Sequence, residues 1–330
     1  MFVGKQLGVR GQGSEGQKAE LIMKEQEKRF EKLEKEIEHL KKEVSFLRQE
    51  VLRWQSTQSP SALPLLRALA QRGLTVLDYN HNLQFILKPD ANTEHQDILY
   101  NLLRRYSFRL FMRDLIQFPR GKSVKRLCRY CSITTARSYL KTLQELGIVR
   151  VDSRKGYSLL VNGVKSFGPT LEWYVGQIFS RQFSAPVLTG VKFKDTPTGG
   201  DYDVIALLEQ KLVYVEVKSS PPRGVEKPAV KAFLDRLGDL QPHVALFFVD
   251  TELRMKDKMV VLFTEEMERR LGVKASRDWP VKRMVDELFQ INHGIYILNS
   301  KRGIVVNTKR CIRDFNRYYR LGQVRVPWSF

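Results

Sequence analysis

The sequence has three cysteines, five histidines and no apolar run approaching the length of a membrane span, and each shortage excludes something. Cys128, Cys131 and Cys311 are odd in number and too few for a disulfide framework, which suits a reducing compartment such as the cytoplasm. Cys128 and Cys131 form a lone Cys-Arg-Tyr-Cys. A zinc site would need a second pair or two spaced histidines, and His95 is too distant in sequence, so both cysteines read as small buried helix residues. Apolar runs such as Val244–Val249 fall far short of the ~20 residues a spanning helix needs. The first residues lack a basic-then-apolar signal pattern. A soluble cytoplasmic protein without a membrane partner is expected. Acid is also scarce: 56 Lys and Arg outnumber 36 Asp and Glu, for a net charge of +20. Such a surplus points to a polyanionic partner, nucleic acid first among them, more than to an acidic small substrate.

After a Gly- and Gln-rich start, residues 1–20, that reads as disordered, a heptad runs through residues 21–56. Met23, Phe30, Ile37, Val44 and Val51 take position a, and Gln26, Leu33, Leu40, Leu47 and Trp54 take position d. Branched residues at a with Leu at d favour a parallel two-stranded coil. The flanking charges agree, because Arg29 would meet Glu34, Glu36 would meet Lys41, and Glu43 would meet Arg48 across a homodimer. A Ser-, Thr- and Gln-rich linker follows, then a small helix-hairpin segment over 62–90. Its helix is expected from Leu63 to Arg72 and its strands at Thr75–Tyr79 and Leu83–Leu87.

The surplus is concentrated in the middle, where residues 58–165 hold 18 basic and 7 acidic side chains. Within 92–163 the periodicity predicts a helix over Asp97–Gln117 and a second from Ser123 to Cys131. A third runs over Thr135–Leu146 and stops at Gly147, and two strands follow, Ile148–Val151 and Tyr157–Val161. This order resembles the winged helix-turn-helix family. The resemblance implies that the third helix enters a DNA major groove with Thr134, Thr135, Arg137, Ser138 and Lys141 presented. Arg154 and Lys155 on the wing would touch phosphates.

The most informative segment is Asp201-Tyr202-Asp203-Val204-Ile205-Ala206-Leu207-Leu208, then Glu209-Gln210, then Lys211-Leu212-Val213-Tyr214-Val215-Glu216-Val217-Lys218. Two β-rich runs separated by two residues predict a hairpin. With Glu209-Gln210 as the loop, Leu208 lies opposite Lys211 and Asp203 opposite Glu216. Alternation then puts Asp201, Asp203, Glu216 and Lys218 on one face, with Asp201 opposite Lys218. Opposed carboxylates repel unless something positive lies between them, and a hard divalent cation such as Mg²⁺ is the natural candidate. Glu-Gln is not a preferred primed turn, so a longer loop stays open, and with it Asp201 as the ligand in place of Asp203.

Asp203 with Glu216-Val217-Lys218 resembles the PD-(D/E)XK, or restriction-endonuclease-like, nuclease superfamily, with Tyr202 where the name-giving Pro would stand. The surrounding elements follow that superfamily's αβββαβ order: a helix Pro169–Phe183 bearing Glu172, strands Pro186–Lys192, Asp203–Leu208 and Leu212–Lys218, a helix Lys227–Leu240 and a buried strand Val244–Asp250. The resemblance implies an α/β nuclease core over 166–270, preceded by the winged helix and the parallel coiled coil. It implies that Asp203, Glu216, the Val217 carbonyl and Glu172 hold Mg²⁺, with Mn²⁺ as a substitute. Lys218 would orient the attacking water, giving Glu172, Asp203, Glu216 and Lys218 as catalytic residues.

Residues 271–330 remain as a basic extension, with 8 basic side chains and only Asp314 as an acid after position 300. A helix over Lys309–Arg320 is expected there, its aromatics either packed on the body or open to nucleic acid. His243 and His293 read as structural histidines. Two functions follow, a dimeric metal-dependent DNA endonuclease or a non-catalytic DNA-binding regulator on the same fold.

Overall fold

The computed structural model describes residues 26, 29–41, 43–45, 62–80, 85–87, 91–152, 156–194 and 196–325. The chain divides into two compact units, 1–59 and 60–330. In the first, helix α1 spans 29–41. The apolar positions Phe30, Leu33, Ile37, Leu40 and Val44 are 49–70% exposed among the described residues. Gln26, also a heptad position, is helical and exposed, and Met23, Leu47, Val51 and Trp54 lie outside the described residues.

The second unit runs α2 (Leu63–Ala70), β1 (Val76–Asp78), α3 (Thr93–Leu103), α4 (Tyr106–Gln117), β2 (Arg120–Gly121), a 3-10 turn at Val124–Leu127, α5 (Ile133–Glu145), β3 (Val149–Asp152) and β4 (Gly156–Leu159). It continues with α6 (Gly168–Phe183), β5 (Val187–Phe193), β6 (Tyr202–Leu208), β7 (Lys211–Lys218), α7 (Lys227–Leu240), β8 (Val244–Val249), α8 (Val261–Ser276), β9 (Lys282–Val285), β10 (Leu288–Ile291), β11 (Ile295–Asn299) and α9 (Ile304–Arg320). Among the described residues no helix is long and apolar enough to cross a membrane.

This is a mixed α/β architecture. Eight strands form one sheet in the order β1-β5-β6-β7-β8-β11-β10-β9, and β2-β4-β3 form a small separate one. β8 runs parallel to both β7 and β11. A strand between two parallel neighbours is covered on both faces, which is why Val-Ala-Leu-Phe-Phe-Val is apolar throughout and buried throughout. One face of the large sheet carries Leu171, Val175 and Ile178 of α6, Phe315 of α9 and the helices of the basic middle segment in a single continuous core. The other face carries Leu65 of α2, Phe233 and Leu237 of α7 and Phe263 of α8.

The structure departs from the expected elements in four places. The helix expected over 97–117 is two helices, because Arg105 is extended (φ −85°, ψ 122°). The Leu103 carbonyl freed by this break accepts a hydrogen bond from the buried Arg109 guanidinium at 2.7 Å, so the interruption is satisfied rather than frayed. The expected helix 123–131 shortens to the 3-10 turn, where Cys128 and Cys131 are half-buried and their thiols point to the carbonyls of Val124 and Leu127. Of the expected strand 83–87, the described residues 85–87 are not in a strand. Residues 282–299, expected as part of an extension, instead contribute β9, β10 and β11 to the main sheet. Their burial explains the change, since Leu288, Ile291, Ile295, Ile297 and Leu298 are all within the core.

Candidate active site

The β6–β7 hairpin has the expected register, pairing Val204 with Val215, Ile205 with Tyr214, Ala206 with Val213, Leu207 with Leu212 and Leu208 with Lys211. Glu209 and Gln210 close it as a two-residue loop with φ of 44° and 66°. Positive φ at both positions is the twist-matched primed turn, reached here without Asn or Gly. The loop is therefore not longer, and Asp203 and Glu216 occupy successive positions beyond the last paired residues.

Past Val204 and Val215 the two strands separate, and a side chain takes over from the backbone. Asp203 Oδ2 accepts the Val217 amide at 2.6 Å, standing where a ladder carbonyl would otherwise be. Asp201 lies before β6, is exposed, and its Oδ1 is 3.6 Å from Lys192 Nζ. It does not sit opposite Lys218 in the ladder, because the pairing has ended by then. Asp203, fixed to the β7 backbone, is the carboxylate the hairpin positions.

Glu216 is 1% exposed and is held from three sides. The Tyr214 hydroxyl donates to Oε2, the Lys218 ammonium to Oε1 at 2.6 Å, and Arg236 Nη1 to both oxygens at 3.1 and 2.9 Å. Tyr214, Glu216 and Lys218 share a face by strand alternation. Arg236 comes from α7, one turn past Phe233, and its guanidinium also lies 5.6 Å from the Tyr202 ring centroid. Gly200 (φ 75°) passes so close that a Cβ there would stand 3.0 Å from Arg236 Nη2.

Electrostatics joins these groups to α6. Burial, then Glu216, then Glu172 push the Asp203 carboxyl well above the usual carboxylate range. Burial, then Asp201, then Glu216 push the Glu172 carboxyl up to about 7. Burial pulls the Lys218 ammonium down, but Glu216 and Asp203 outweigh it and hold it above its ordinary value. Three carboxyl groups thus face the two cations Lys218 and Arg236, burial favours the protonated form of two of them, and the donors are hard oxygens of the kind Mg²⁺ takes. Among the described residues, no three His, Cys, Asp or Glu side chains converge closely enough to enclose a cation alone. A cation here would complete its shell from water and phosphate oxygens, which is the usual habit of Mg²⁺.

The hairpin thus places Asp203, Glu216 and Lys218 at one end, while Glu172 on α6 is joined to them only by electrostatic influence and not by a direct contact. Arg236 and Tyr214 were not among the expected residues. Tyr214 was legible, two residues before Glu216 on the same face. Arg236 had only the weak signal of a basic residue beside the apolar stripe Phe233, Leu234 and Leu237. In the basic middle segment, Thr134, Arg137, Ser138 and Lys141 are exposed on α5. Thr135 is half-buried, because its hydroxyl meets the capping Ser132 hydroxyl at 2.9 Å. Arg154 and Lys155 lie outside the described residues.

No family model and no curated protein matches the chain. Solved structures that resemble it include the protein VC1899 from Vibrio cholerae, at 14% identity and a TM-score of 0.42, covering 71% of this chain and 58% of that one. Another is Can2 from Sulfobacillus thermosulfidooxidans, solved with cyclic tetra-adenylate, at 14% identity and a TM-score of 0.35, covering 55% and 50%. The chain therefore spans between half and three-fifths of the length of these two. Neither likeness is close enough to carry an assignment, and the functional reading rests on the residues.

Proposed function

We propose that the chain is a divalent-metal-dependent nuclease that hydrolyses phosphodiester bonds in DNA. The observation that carries the reading is the placement of Asp203, Glu216 and Lys218 at the open end of one hairpin, with Glu172 electrostatically coupled to them. Asp203, Glu216, Glu172 and the Val217 carbonyl would hold Mg²⁺, or Mn²⁺ in its place. When bound, the cation would acidify a water and stabilise charge developing on the phosphate. Lys218, kept charged by Glu216 and Asp203, offsets phosphate charge and orients the attacking water. Arg236 holds the Glu216 carboxylate in one orientation. Glu172, raised mainly by burial, would give up its proton as the cation binds.

Duplex DNA is the proposed substrate because the sequence of 92–163 resembles a winged helix, with four exposed polar or basic residues on α5 and a surplus of positive charge. Dimerisation is proposed through α1, whose exposed a and d positions would be buried in a parallel coil. A second reading is a non-catalytic DNA-binding regulator. One observation favours it: Glu216 is already satisfied by Tyr214, Lys218 and Arg236, as in a structural ion cluster.

Cleavage of supercoiled, linear and branched DNA with Mg²⁺ or Mn²⁺ decides between them. Asp203→Ala and Lys218→Ala are expected to lower the rate on the order of 10²-fold or more while leaving DNA affinity intact. Failure of the wild type to cut any substrate, with binding intact, establishes the regulator. Cutting that survives both substitutions places the active site elsewhere. The cation has its own readout: at about a hundred times its Kd it should add about 2.7 kcal/mol to the stability of the wild type and not to that of Asp203→Asn.

A further inference from the structure

We propose that the exposed face of α9 is a second nucleic-acid surface, a track for the phosphodiester backbone that is separate from both α5 and the active site. The proposal rests on the nucleic-acid part of the functional reading and not on cleavage. Lys309, Arg313, Arg317 and Arg320 are all exposed. Their spacing of four, four and three residues places them in one stripe along the helix, about 16 Å long at a rise of about 1.5 Å per residue. They line an open groove of about 830 Å³ whose other walls include Phe183 of α6 and Ile312.

The charges in this stripe lack the carboxylate partners that several arginines elsewhere have. Arg109, Arg113, Arg181, Arg236 and Arg270 each have a carboxylate partner. Among the described residues Arg313, Arg317 and Arg320 have none, and Lys309 touches only the neutral Gln182 at 3.0 Å. The acid of this helix does not relieve them, because Asp314 turns to the other side and accepts from Tyr296 and His293 at 2.8 and 2.7 Å. Four like charges three or four residues apart on a helix oppose its formation. A line of uncompensated cations beside an aromatic and an aliphatic wall complements a polyanion with apolar faces, as a nucleic-acid strand has.

The topology separates this track from the active site. α9 follows β11, which is parallel to β8 and β7, so the helix starts at the sheet end where Lys218 lies and runs back toward the other. Phe183 at its C-terminal part is also beside Ser184, Leu208 and Glu209, at the closed end of the β6–β7 hairpin. DNA held on the stripe therefore extends along the sheet away from the reacting groups.

The test is binding of fluorescein-labelled single-stranded and duplex DNA by the full chain, in chelator and across a salt series. The triple variant Lys309→Gln, Arg313→Gln and Arg317→Gln is compared with Arg137→Ala, Lys141→Ala on α5. Each phosphate contact contributes about 0.9 to the log–log salt slope on duplex and about 0.7 on a single strand. The stripe variant is therefore expected to lose about 2 to 3 from the slope and at least tenfold in affinity on whichever DNA form occupies it, with a melting curve that does not move down, since the repulsion along the helix is relieved. A slope within one of the wild type on both forms overturns the proposal, as does equal weakening for poly-glutamate of matched charge. Cleavage plays no part in this readout, so the stripe and the nuclease site stand or fall separately.

Discussion

Arg236 Nη1 reaches both carboxylate oxygens of Glu216, across twenty residues of sequence and from helix to strand. Glu216 is 1% and the Arg236 side chain 15% exposed, so this is a largely buried pair. Removing one member of such a pair leaves a charge that neither water nor a new partner compensates, at a cost of about 3 kcal/mol or more. Lys218 remains on Glu216 and softens the loss. Arg236→Gln is expected to lower the unfolding free energy by about 2 kcal/mol in urea titrations. Its cleavage rate should fall without a matching loss of DNA affinity. Adding Glu216→Gln should cost less than the sum of the two single changes, and strict additivity would show that the contact contributes nothing.

Asp203, Glu216 and Lys218 were legible in the sequence because strand alternation and a two-residue loop fix every cross-strand neighbour by arithmetic. Glu172 was placed by the order of elements rather than by any local pattern. What escaped the reading came from long-range partners. β1 pairs with β5 through Val76 and Phe193, and no local feature of a three-residue strand announces that. β10 and β11 are a local hairpin around Asn292 and His293, both at positive φ, but only their parallel pairing with β8 makes them part of the main sheet. The break at Arg105 has no local signal in the sequence, and the Arg109 side chain that satisfies the freed carbonyl is itself held by Asp250, 141 residues away.

The Glu209-Gln210 turn holds two ordinary L-residues at positive φ, a conformation that costs roughly 1 kcal/mol per residue and that Asn-Gly adopts with little strain. Glu209→Asn with Gln210→Gly is expected to stabilise the protein by about 1 kcal/mol. Lys211 would lose its 3.1 Å contact with Glu209, an exposed pair worth a few tenths at most. A thermal melt that moves down would show that the turn is not strained.

His243 gives a pH signature. Its Nδ1 accepts the Leu212 amide at 2.9 Å, and burial, then Arg72, then Lys211 lower its pKa from the ordinary 6.5. As pH falls, the unfolded chain therefore binds the proton first. Stability from this site is present above about pH 6.5 and is lost as pH falls through that value toward the lower folded pKa. His243→Asn keeps an acceptor for Leu212 and removes the titration. Its unfolding free energy should fall less than the wild type's between pH 7.5 and 5.5, and parallel declines would exclude His243 as a source.

Asp250, at the end of β8, binds α4 to the sheet. Arg109 Nε reaches its Oδ1 at 2.9 Å, Arg113 Nη2 its Oδ2 at 2.6 Å, and Ser300 Oγ its Oδ1 at 2.5 Å, with Asp250 fully buried. Its own amide donates to the Lys218 carbonyl at 2.8 Å, so the helix of the basic middle segment and the strand bearing the candidate active site share one residue. Asp250→Ala leaves Arg109 charged, 1% exposed and without its carboxylate, and should cost about 3 to 5 kcal/mol. Asp250→Asn keeps the size and one acceptor and should cost less. Because the core runs unbroken from α4 to β7 and α9, both variants should still unfold in one transition, shifted to lower urea. If the middle segment melts apart from the sheet in the wild type as well, that core is not cooperative and Asp250 joins two independent domains.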